Sequence, residues 1–329
     1  MRVRFSSSGM VLDDHAPAHH PLCFLDTVMR GIGQVMLQNN SYAGGLFLLG
    51  IFCNSVLFGC AALVGTIAST VTAMLLGAGR TPVRDGLFGF NGALVAIAVI
   101  YFLQPDALTW AYVILAAACS TVLMAAMLRW FEAWKMPVLT APFVFTALCF
   151  LLACARFGRL HSTHVLPTAG LPSVEVAVEG VVTTTTVAEG LFNGVAQVFF
   201  QGSVLTGVLF VLGLLVSSRR AFIMALLGSL TGLLVAWGMG AAEPAIRSGA
   251  FGFNCVLTAI ALGSVFYAQD KASAAYTLLA TIATAVVFAA VSAALEPLGM
   301  PALTLPFVLV VWLFVLAGPV FPGLRPAAA

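Results

Sequence analysis

Two halves of the chain repeat the same sequence blocks in the same order. Met136–Phe143 reads MPVLTAPF and returns as MPALTLPF at Met300–Phe307. Gly86–Asn91 reads GLFGFN and returns as GAFGFN at Gly249–Asn254. The GxFGFN block recurs after 163 positions and the other block after 164, so the spacing changes by only one residue. Matches in register over such a distance indicate a duplicated unit rather than chance similarity between apolar segments.

Composition places both halves in a membrane. Hydrophobic residues make up 61% of the chain and charged residues 8%, which leaves too few polar side chains to cover a water-exposed surface. Each half contains five apolar stretches, and several are shorter than the roughly 20 residues that a helix needs to cross a bilayer. The sequence therefore predicts an all-α membrane protein with ten transmembrane helices, some of them tilted or broken.

The odd number of spans in each half sets the topology. Five spans carry the chain across the membrane, so the second copy enters from the opposite side and the repeat is inverted. A cytoplasmic N-terminus puts eleven Lys and Arg residues inside and three outside, as the positive-inside rule favours. We therefore expect a multi-pass membrane protein with both termini in the cytoplasm. The predicted segments are an N-terminal cytoplasmic tail (1–22), a first transmembrane repeat (23–156), an inter-repeat linker (157–188), a second transmembrane repeat (189–319) and a C-terminal tail (320–329).

Two short amphipathic segments carry glutamines at equivalent positions. Gln34 stands early in Ile32–Gln38, and Gln197 stands early in Val195–Gln201. Each segment precedes the first long apolar stretch of its half. This arrangement is typical of a half-helix that enters the membrane and stops beside a protein-lined or water-filled path. An interfacial helix with solvated amides is the alternative.

Phenylalanines recur beside a glycine at the start of one span in each half. The pairs are Phe88 with Phe90 and Phe251 with Phe253, and both blocks end in an asparagine. Rings next to a glycine, which permits close backbone approach, can wall a narrow slot. Packing is the alternative for any single ring, but the recurrence of the pair favours a pore role.

A threonine precedes a proline by two residues in both copies of the third block. Thr140 stands before Pro142, and Thr304 stands before Pro306. Because proline removes an amide donor and clashes with the carbonyl four residues earlier, we expect a broken or distorted helix that offers carbonyls and a hydroxyl to a ligand. The alternative is a threonine that bonds to its own helix.

The sequence lacks the residues that several classes of function require. Acidic residues near the spans fall at span ends or in linkers, so the sequence predicts no chain of buried carboxylates for proton relay or sodium binding. His161 and His164 lie in the linker, where we expect solvated imidazoles rather than a metal site. Motifs for phosphate binding, a nucleophile elbow or a zinc protease are missing, and a net charge of +2 argues against a nucleic-acid partner. We expect no enzyme activity, no cofactor and no metal.

The duplicated motifs resemble the urea transporter family, in its bacterial branch, over roughly residues 24–318. The resemblance rests on two copies each of a Pro-x-x-Thr-x-Pro-Phe signature, a Gln-Val pair and a Phe-Gly-Phe-Asn block. It implies a passive, channel-like urea path between two inverted five-helix repeats, each with a pore half-helix, in a lipid-embedded homotrimer with one pore per protomer. It also implies two flat slots walled by phenylalanine and leucine, with an oxygen ladder that accepts the amide hydrogens of urea. Carried over by motif, the substrate-binding and pore residues are Gln34, Val35, Leu37, Phe90, Leu94 and Thr140 in the first half and Gln197, Val198, Phe200, Phe253, Leu257 and Thr304 in the second.

The chain departs from the family pattern at two points. Both signatures begin with methionine, at Met136 and Met300, where the family has leucine, a volume-conserving change. Leu37 stands where the second copy has Phe200 and where the family commonly has an aromatic residue. This difference predicts that one slot lacks an aromatic wall.

Three other functions remain open from the residues. A channel for ammonia or another small neutral amide or amine would be expected to carry paired pore histidines, and none of the five histidines lies in a predicted span. A secondary active transporter of a small amide would require carboxylates near the membrane midplane. A structural membrane subunit would have no need for Gln, Phe and Thr at equivalent sites.

Overall fold

Helices make up almost all of the structure, which a computed structural model describes for residues 4–11, 21–171 and 178–327. A short antiparallel hairpin, which the sequence did not suggest, pairs β1 (Arg4–Ser6) with β2 (Gly9–Val11). The first half continues with α1 (Pro21–Gln34), α2 (Ser41–Asn54), α3 (Val56–Leu75), α4 (Arg80–Arg84), α5 (Gly89–Phe102), α6 (Ala107–Phe131) and α7 (Ala141–Cys154). The second half contains α8 (Thr184–Ala196), α9 (Val204–Ser217), α10 (Arg219–Gly238), α11 (Glu243–Arg247), α12 (Phe253–Ile260), a π-helix (Ala261–Phe266), α13 (Lys271–Leu295) and α14 (Leu305–Ala317).

Unit 1, the first of two compact units, is built around α5. It comprises Met1–Ala133, Pro142–Val165 and Leu212–Ser218. Thirteen of the fourteen residues of α5 are buried, because this helix is apolar on every side. The neighbouring helix α6 begins at an N-cap, where the Asp106 carboxylate accepts a hydrogen bond from the Thr109 amide at 2.7 Å.

Unit 2 comprises Trp134–Ala141, Leu166–Val211 and Arg219–Ala329. Its central helix is α12, and Asp270 caps α13 by accepting from the Ser273 amide at 2.7 Å. The segment Trp134–Ala141 belongs to the first sequence repeat but packs in this unit. Both copies of the Pro-x-x-Thr-x-Pro-Phe signature therefore contribute to unit 2.

The helices differ in their capacity to cross a membrane. Four of the described helices are long and apolar enough to span, namely α3, α10, and α6 and α13 with the short turns that extend them. The pair α8 and α9 would count as a fifth span, but it bends by 74° at its break. The five shorter apolar helices are α2, α5, α7, α12 with its π-helix, and α14 with its last turn. Short and bent helices match the sequence expectation, while the count of ten spans stays a prediction.

The π-helix accounts for the change in spacing between the two copies. Phe90 in the first turn of α5 and Phe253 in the first turn of α12 are 163 positions apart. The extended residues that follow these helices, Leu103 and Tyr267, are 164 positions apart. One additional residue therefore lies between these points in the second copy. A π turn holds more residues than an α turn, so the extra residue is absorbed as a local widening of the helix.

Two sequence expectations about helix bounds differ from the structure. In the segment predicted as the linker, α8 begins at Thr184 behind a capping box formed by Thr183 and Thr186, while the bounds of the linker and repeats stay a prediction. The prolines Pro142 and Pro306 do not break a helix internally. They lie in the first turn of α7 and α14, where a missing amide hydrogen costs no helical hydrogen bond.

Candidate functional site

Each glutamine segment forms the end of a short helix, not its beginning as the sequence suggested. Gln34 is the last residue of α1, and Gln197 directly follows α8. After one tight turn the chain takes a left-handed conformation, with φ of 60° at both Leu37 and Phe200. Helices of 14 and 13 residues reach about 20 Å, which is less than the thickness of a bilayer core. Both helices therefore have the length of a half-helix.

A polar network holds the first half-helix, α1, against the chain that precedes α5. Arg30 donates from Nε to Asp26 at 2.7 Å and from Nη1 to the Asn39 side-chain oxygen at 2.7 Å. Gln34 donates from Nε2 to the Asp85 carbonyl at 2.9 Å, and Asn39 donates to the Asp85 carboxylate at 3.1 Å. The amide of Gln34 thus has a structural partner within unit 1, which fixes the direction in which the half-helix ends.

A matching network holds the second half-helix, α8, against α11. Asn193 donates to the Arg247 carbonyl at 2.9 Å, and the Arg247 guanidinium contacts the Glu243 carboxylate at 2.8 Å. The same carboxylate accepts a short hydrogen bond from the Thr186 hydroxyl. The Thr186 hydrogen bond and the Arg247 guanidinium hold the pKa of Glu243 below its ordinary value, because both stabilise the ionised carboxylate.

The first glycine of each GxFGFN block brings the block against its half-helix. Gly86 and Gly249 have φ of 74° and 78°, a region that favours glycine. A Cβ atom at Gly86 would lie 2.3 Å from the Gly31 nitrogen, and one at Gly249 would lie 2.2 Å from the Gly194 nitrogen. Only glycine fits these two crossings, so they explain why the motif begins with this residue.

The asparagines that end these blocks position the two signature segments. The Asn91 side-chain oxygen accepts from the Phe143 amide at 3.0 Å, and that of Asn254 accepts from the Phe307 amide at 3.1 Å. These amides belong to first turns of α7 and α14, which lack an intrahelical acceptor. Asn254 also donates to the Leu303 carbonyl at 3.1 Å. Both asparagines therefore orient backbone rather than point to a ligand.

The structure brings the two signature threonines together within unit 2. The hydroxyl oxygens of Thr140 and Thr304 lie 2.7 Å apart, and each residue is only 3% exposed. Each follows a left-handed leucine, with φ of 57° at Leu139 and 50° at Leu303. The threonines precede their helices, so the alternative of a hydroxyl bonded to its own helix does not apply.

A cavity of about 520 Å³ lies within unit 2 next to this pair. Five of the six residues predicted for the second half line it, namely Gln197, Val198, Phe200, Phe253 and Thr304. The sixth, Leu257, is fully buried and is not among the lining residues. Non-helical backbone from Met300 to Leu303 forms part of the wall. Such backbone presents peptide groups to the cavity that a continuous helix would hold in its own hydrogen bonds.

Phe288 and Glu296 are among the lining residues that the sequence did not single out for the pore. Phe288 on α13 packs edge-on against Phe253, with ring centroids 5.7 Å apart and an interplanar angle of 81°. Its equivalent in the first copy is Met124, which accepts a weak hydrogen bond from Asn91 at 3.6 Å. Glu296, at the end of α13, adds one half-buried carboxylate to the cavity wall. The repeat could not reveal Phe288, because its mate is not aromatic.

The first-half residues are divided between the two units. Thr140 lies in unit 2, whereas the other five lie in unit 1. Gln34 and Leu37 are half-buried, while Val35, Phe90 and Leu94 are buried. Their role in a pore stays a prediction.

Comparison with known proteins decides the family. The family profile described as "UT: Urea transporter" matches residues 25–319. The chain belongs to the urea transporter family. Among the curated relatives, urea transporter 1 from Ovis aries is 31% identical over 302 residues, and urea transporter 1 from Rattus norvegicus is 29% identical over 299 residues. Each alignment covers 90% of this chain and 77% of the relative.

Family membership confirms the resemblance that the duplicated motifs suggested. Urea transporters are membrane proteins that move a solute and are not enzymes, as the sequence predicted. The apolar helices agree with a multi-pass protein. The assignment to a bacterial branch stays a prediction.

Proposed function

We propose that this urea transporter conducts urea passively, through the aromatic cavity of unit 2 and past the Thr140–Thr304 pair. The observation that carries the proposal is the composition of the cavity wall. Phe200, Phe253 and Phe288 supply aromatic surface, and Gln197 and Thr304 supply polar atoms. Urea is planar, neutral and strongly dipolar, with four N–H donors and one carbonyl acceptor, so flat apolar walls with an oxygen-bearing edge suit it.

The energetics favour transit over tight binding. An aromatic contact contributes about 0.5–1.5 kcal/mol beyond area burial, and a neutral hydrogen bond contributes about 1 kcal/mol net. A few such contacts offset the dehydration of urea without holding it for long, as conduction requires. In unit 1, we propose that Gln34, Val35, Leu37, Phe90 and Leu94 serve a second slot with a softer wall.

The charges at the cavity support a passive mechanism. Glu296 is the one carboxylate among the lining residues, and it is half-buried at a helix end. Coupling to protons or sodium requires a chain of buried ionisable groups along the path. A single partly exposed carboxylate does not supply one.

The finer features belong to the same proposal. We propose a homotrimer in the cell inner membrane with cytoplasmic termini, five spans in each repeat and inverted orientation of the repeats. The charge distribution along the sequence supports the topology. The paired half-helices, capped helices and signature turns support the repeat.

Urea efflux from proteoliposomes tests the mechanism. With purified full-length protein, the initial rate should follow the urea gradient alone and should be equal with and without a proton gradient. The Glu296→Gln variant is the matched control, because its rate should be equally indifferent to the proton gradient. Accumulation of urea against its gradient in energised vesicles would contradict passive conduction. Failure to move urea at all would contradict the assigned substrate.

A further inference from the structure

A second cavity, of about 670 Å³, opens between α10 and α13 in unit 2. It is separate from the aromatic cavity, with which it shares no lining residue. We call it the α10/α13 groove. Its apolar part includes Met224 and Leu227 from α10 and Leu278 from α13, and its polar part includes Arg220, Gln269 and Lys271.

The second copy lacks two hydrogen bonds that tie the equivalent helices together in the first copy. In unit 1, Ser69 on α3 donates to the Ala117 carbonyl on α6 at 2.8 Å, and Thr121 on α6 donates back to the Ser69 carbonyl at 3.1 Å. The second copy has Gly232 and Ala285 at the positions of Ser69 and Thr121. Neither replacement carries a hydroxyl, so both interhelical hydrogen bonds are lost between α10 and α13.

The π-helix lies at the same place. Gly263 belongs to the π-helix and lines the groove, and it stands 163 positions after the buried Ile100 of the first copy. The Gly263 carbonyl accepts a hydrogen bond from Arg220 Nη2 at 3.2 Å. The backbone of the π-helix therefore holds a guanidinium at the polar part of the groove.

The polar part of the groove carries an excess of positive charge. Arg220 donates to two neutral oxygens. One is the Gly263 carbonyl, and the other is the side-chain oxygen of Gln269, whose amide is oriented with its oxygen towards the guanidinium. Lys271 is exposed beside it. The one carboxylate among the lining residues, Asp270, is engaged as the N-cap of α13. An anionic group would balance Arg220 and Lys271 together.

One buried hydroxyl on α13 has no partner among the described residues. It is Thr277 Oγ1, which belongs to a residue that lines the groove and is 5% exposed. A buried hydroxyl without an acceptor is unfavourable. Ser273, one turn earlier on the same side of α13, has its side chain at the Asp270 cap. Thr277 therefore lies one turn deeper in the groove than the capped, polar end of the helix.

We propose that the α10/α13 groove binds one glycerophospholipid with an anionic headgroup. The phosphate contacts Arg220 and Lys271, an ester carbonyl oxygen accepts a hydrogen bond from Thr277, and an acyl chain lies along Met224, Leu227 and Leu278. The order of charge, hydroxyl and apolar surface along the groove matches the order of phosphate, ester and acyl chain in such a lipid. A soluble anion would leave the apolar part unfilled, and a wholly apolar occupant would leave the charges and the Thr277 hydroxyl unpaired.

Native mass spectrometry of delipidated full-length protein, titrated with lipid, tests this site. Phosphatidylglycerol should bind with one tight site per chain, and phosphatidylcholine should bind that site more weakly. Arg220→Gln should weaken the tight site about tenfold or more, because it removes a charge-assisted contact. Arg219→Gln is the matched control, since Arg219 is exposed, does not line the groove and carries the same charge. It should change the affinity by less than about twofold.

The Thr277→Val variant distinguishes a hydrogen bond to the lipid ester from a change in packing. Valine occupies the equivalent position of the first copy, at Val113, so the exchange is tolerable in shape. The variant should bind diester phosphatidylglycerol about three- to tenfold more weakly. It should bind the dialkyl ether analogue, which lacks the carbonyl acceptors, as the wild type does.

Three results would overturn the proposal. Equal losses in Arg219→Gln and Arg220→Gln would show only a diffuse charge effect. An equal effect of Thr277→Val on ester and ether lipids would exclude the hydroxyl contact. A change of oligomeric state in Arg220→Gln with unchanged lipid binding would show that a second copy of the chain covers the groove. None of these readouts depends on urea flux.

Discussion

Leu37 and Phe200 hold a backbone conformation that is unfavourable for bulky side chains. Each has φ of 60° at the end of the tight turn that follows a half-helix, where a glycine would adopt this conformation without strain. Such a residue costs on the order of 1–3 kcal/mol and is usually found where the side chain serves a site. The strain recurs at Leu139 and Leu303, directly before the paired threonines. Phe200 and Leu303 both line the aromatic cavity, so in unit 2 the strained positions coincide with the wall of the proposed path.

The difference between Leu37 and Phe200 should set the selectivity of the two slots. Replacing Leu37 with Phe should raise the permeability ratio of urea to methylurea, because a planar wall discriminates better against a methylated amide. Phe200→Leu should lower the ratio, and each change should be no more than about 1.5 kcal/mol, or roughly tenfold. Stopped-flow efflux of both solutes from proteoliposomes measures the ratio.

A control keeps this measurement specific to the slots. Phe145 on α7 is 42% exposed and does not line the aromatic cavity, so Phe145→Leu should leave the ratio unchanged. If both slot variants also left the ratio unchanged in folded protein, neither position would belong to a selectivity slot.

Recurrence in the sequence revealed some of these residues and concealed others. It selected Gln197, Phe200 and Phe253, which line one cavity, and it selected Thr140 and Thr304, which touch. Left-handed backbone at a leucine or phenylalanine has no sequence signature, because glycine or asparagine is the usual mark of that conformation. Recurrence did not reveal Phe288, because the equivalent residue of the first copy, Met124, is not aromatic although the two helices correspond.

At the scale of elements, each half-helix depends on polar anchors outside the path. In unit 2 the Glu243 carboxylate binds both the first turn of α8, through Thr186, and Arg247 of α11. The apolar pattern of the sequence could predict that α8 exists but not that it starts at Thr184. Its start is set by a threonine capping box, which a threonine-rich linker resembles closely.

Glu243→Gln should therefore destabilise the protein in a pH-dependent way. The folded pKa of Glu243 lies below its ordinary value of 4.5, so its ionised form stabilises the fold above that pH. The stabilisation is lost as the pH falls through the folded pKa. Thermal unfolding in detergent should show a midpoint about 2–4 °C lower for the variant at pH 7. The gap should close as the pH is lowered below 4.5.

Glu189→Gln provides the comparison for this effect. Glu189 lies 3.8 Å from the same guanidinium but is more exposed, so its replacement should have little effect at any pH. A midpoint difference for Glu243→Gln that persisted unchanged in acid would mean that packing, not the ionised carboxylate, is responsible.

At the scale of the whole molecule, duplication explains why so much could be predicted. Each of the seven α-helices of the first half has a counterpart in the second, down to the caps Asp106 and Asp270. The sequence also contained the one-residue change in spacing, but only the helix geometry assigns it to the π turn at Ala261–Phe266. The packing of Trp134–Ala141 in unit 2 could not be predicted, because contacts between segments far apart in the chain leave no local sequence pattern.

Inverted orientation of the repeats can be tested with one matched pair of residues. Ala78 and Ala241 are equivalent alanines, both half-buried, and their amides bond back to Ala73 at 2.9 Å and to Ala236 at 2.9 Å after α3 and α10. If the repeat is inverted, the two positions face opposite sides of the membrane. In a variant lacking the native cysteines, a membrane-impermeant maleimide applied to intact cells should label Ala241→Cys and leave Ala78→Cys unlabelled. Inverted membrane vesicles should reverse the result. Labelling of both positions from the same side would contradict the inverted repeat, and labelling of Ala78→Cys in intact cells would contradict the cytoplasmic N-terminus.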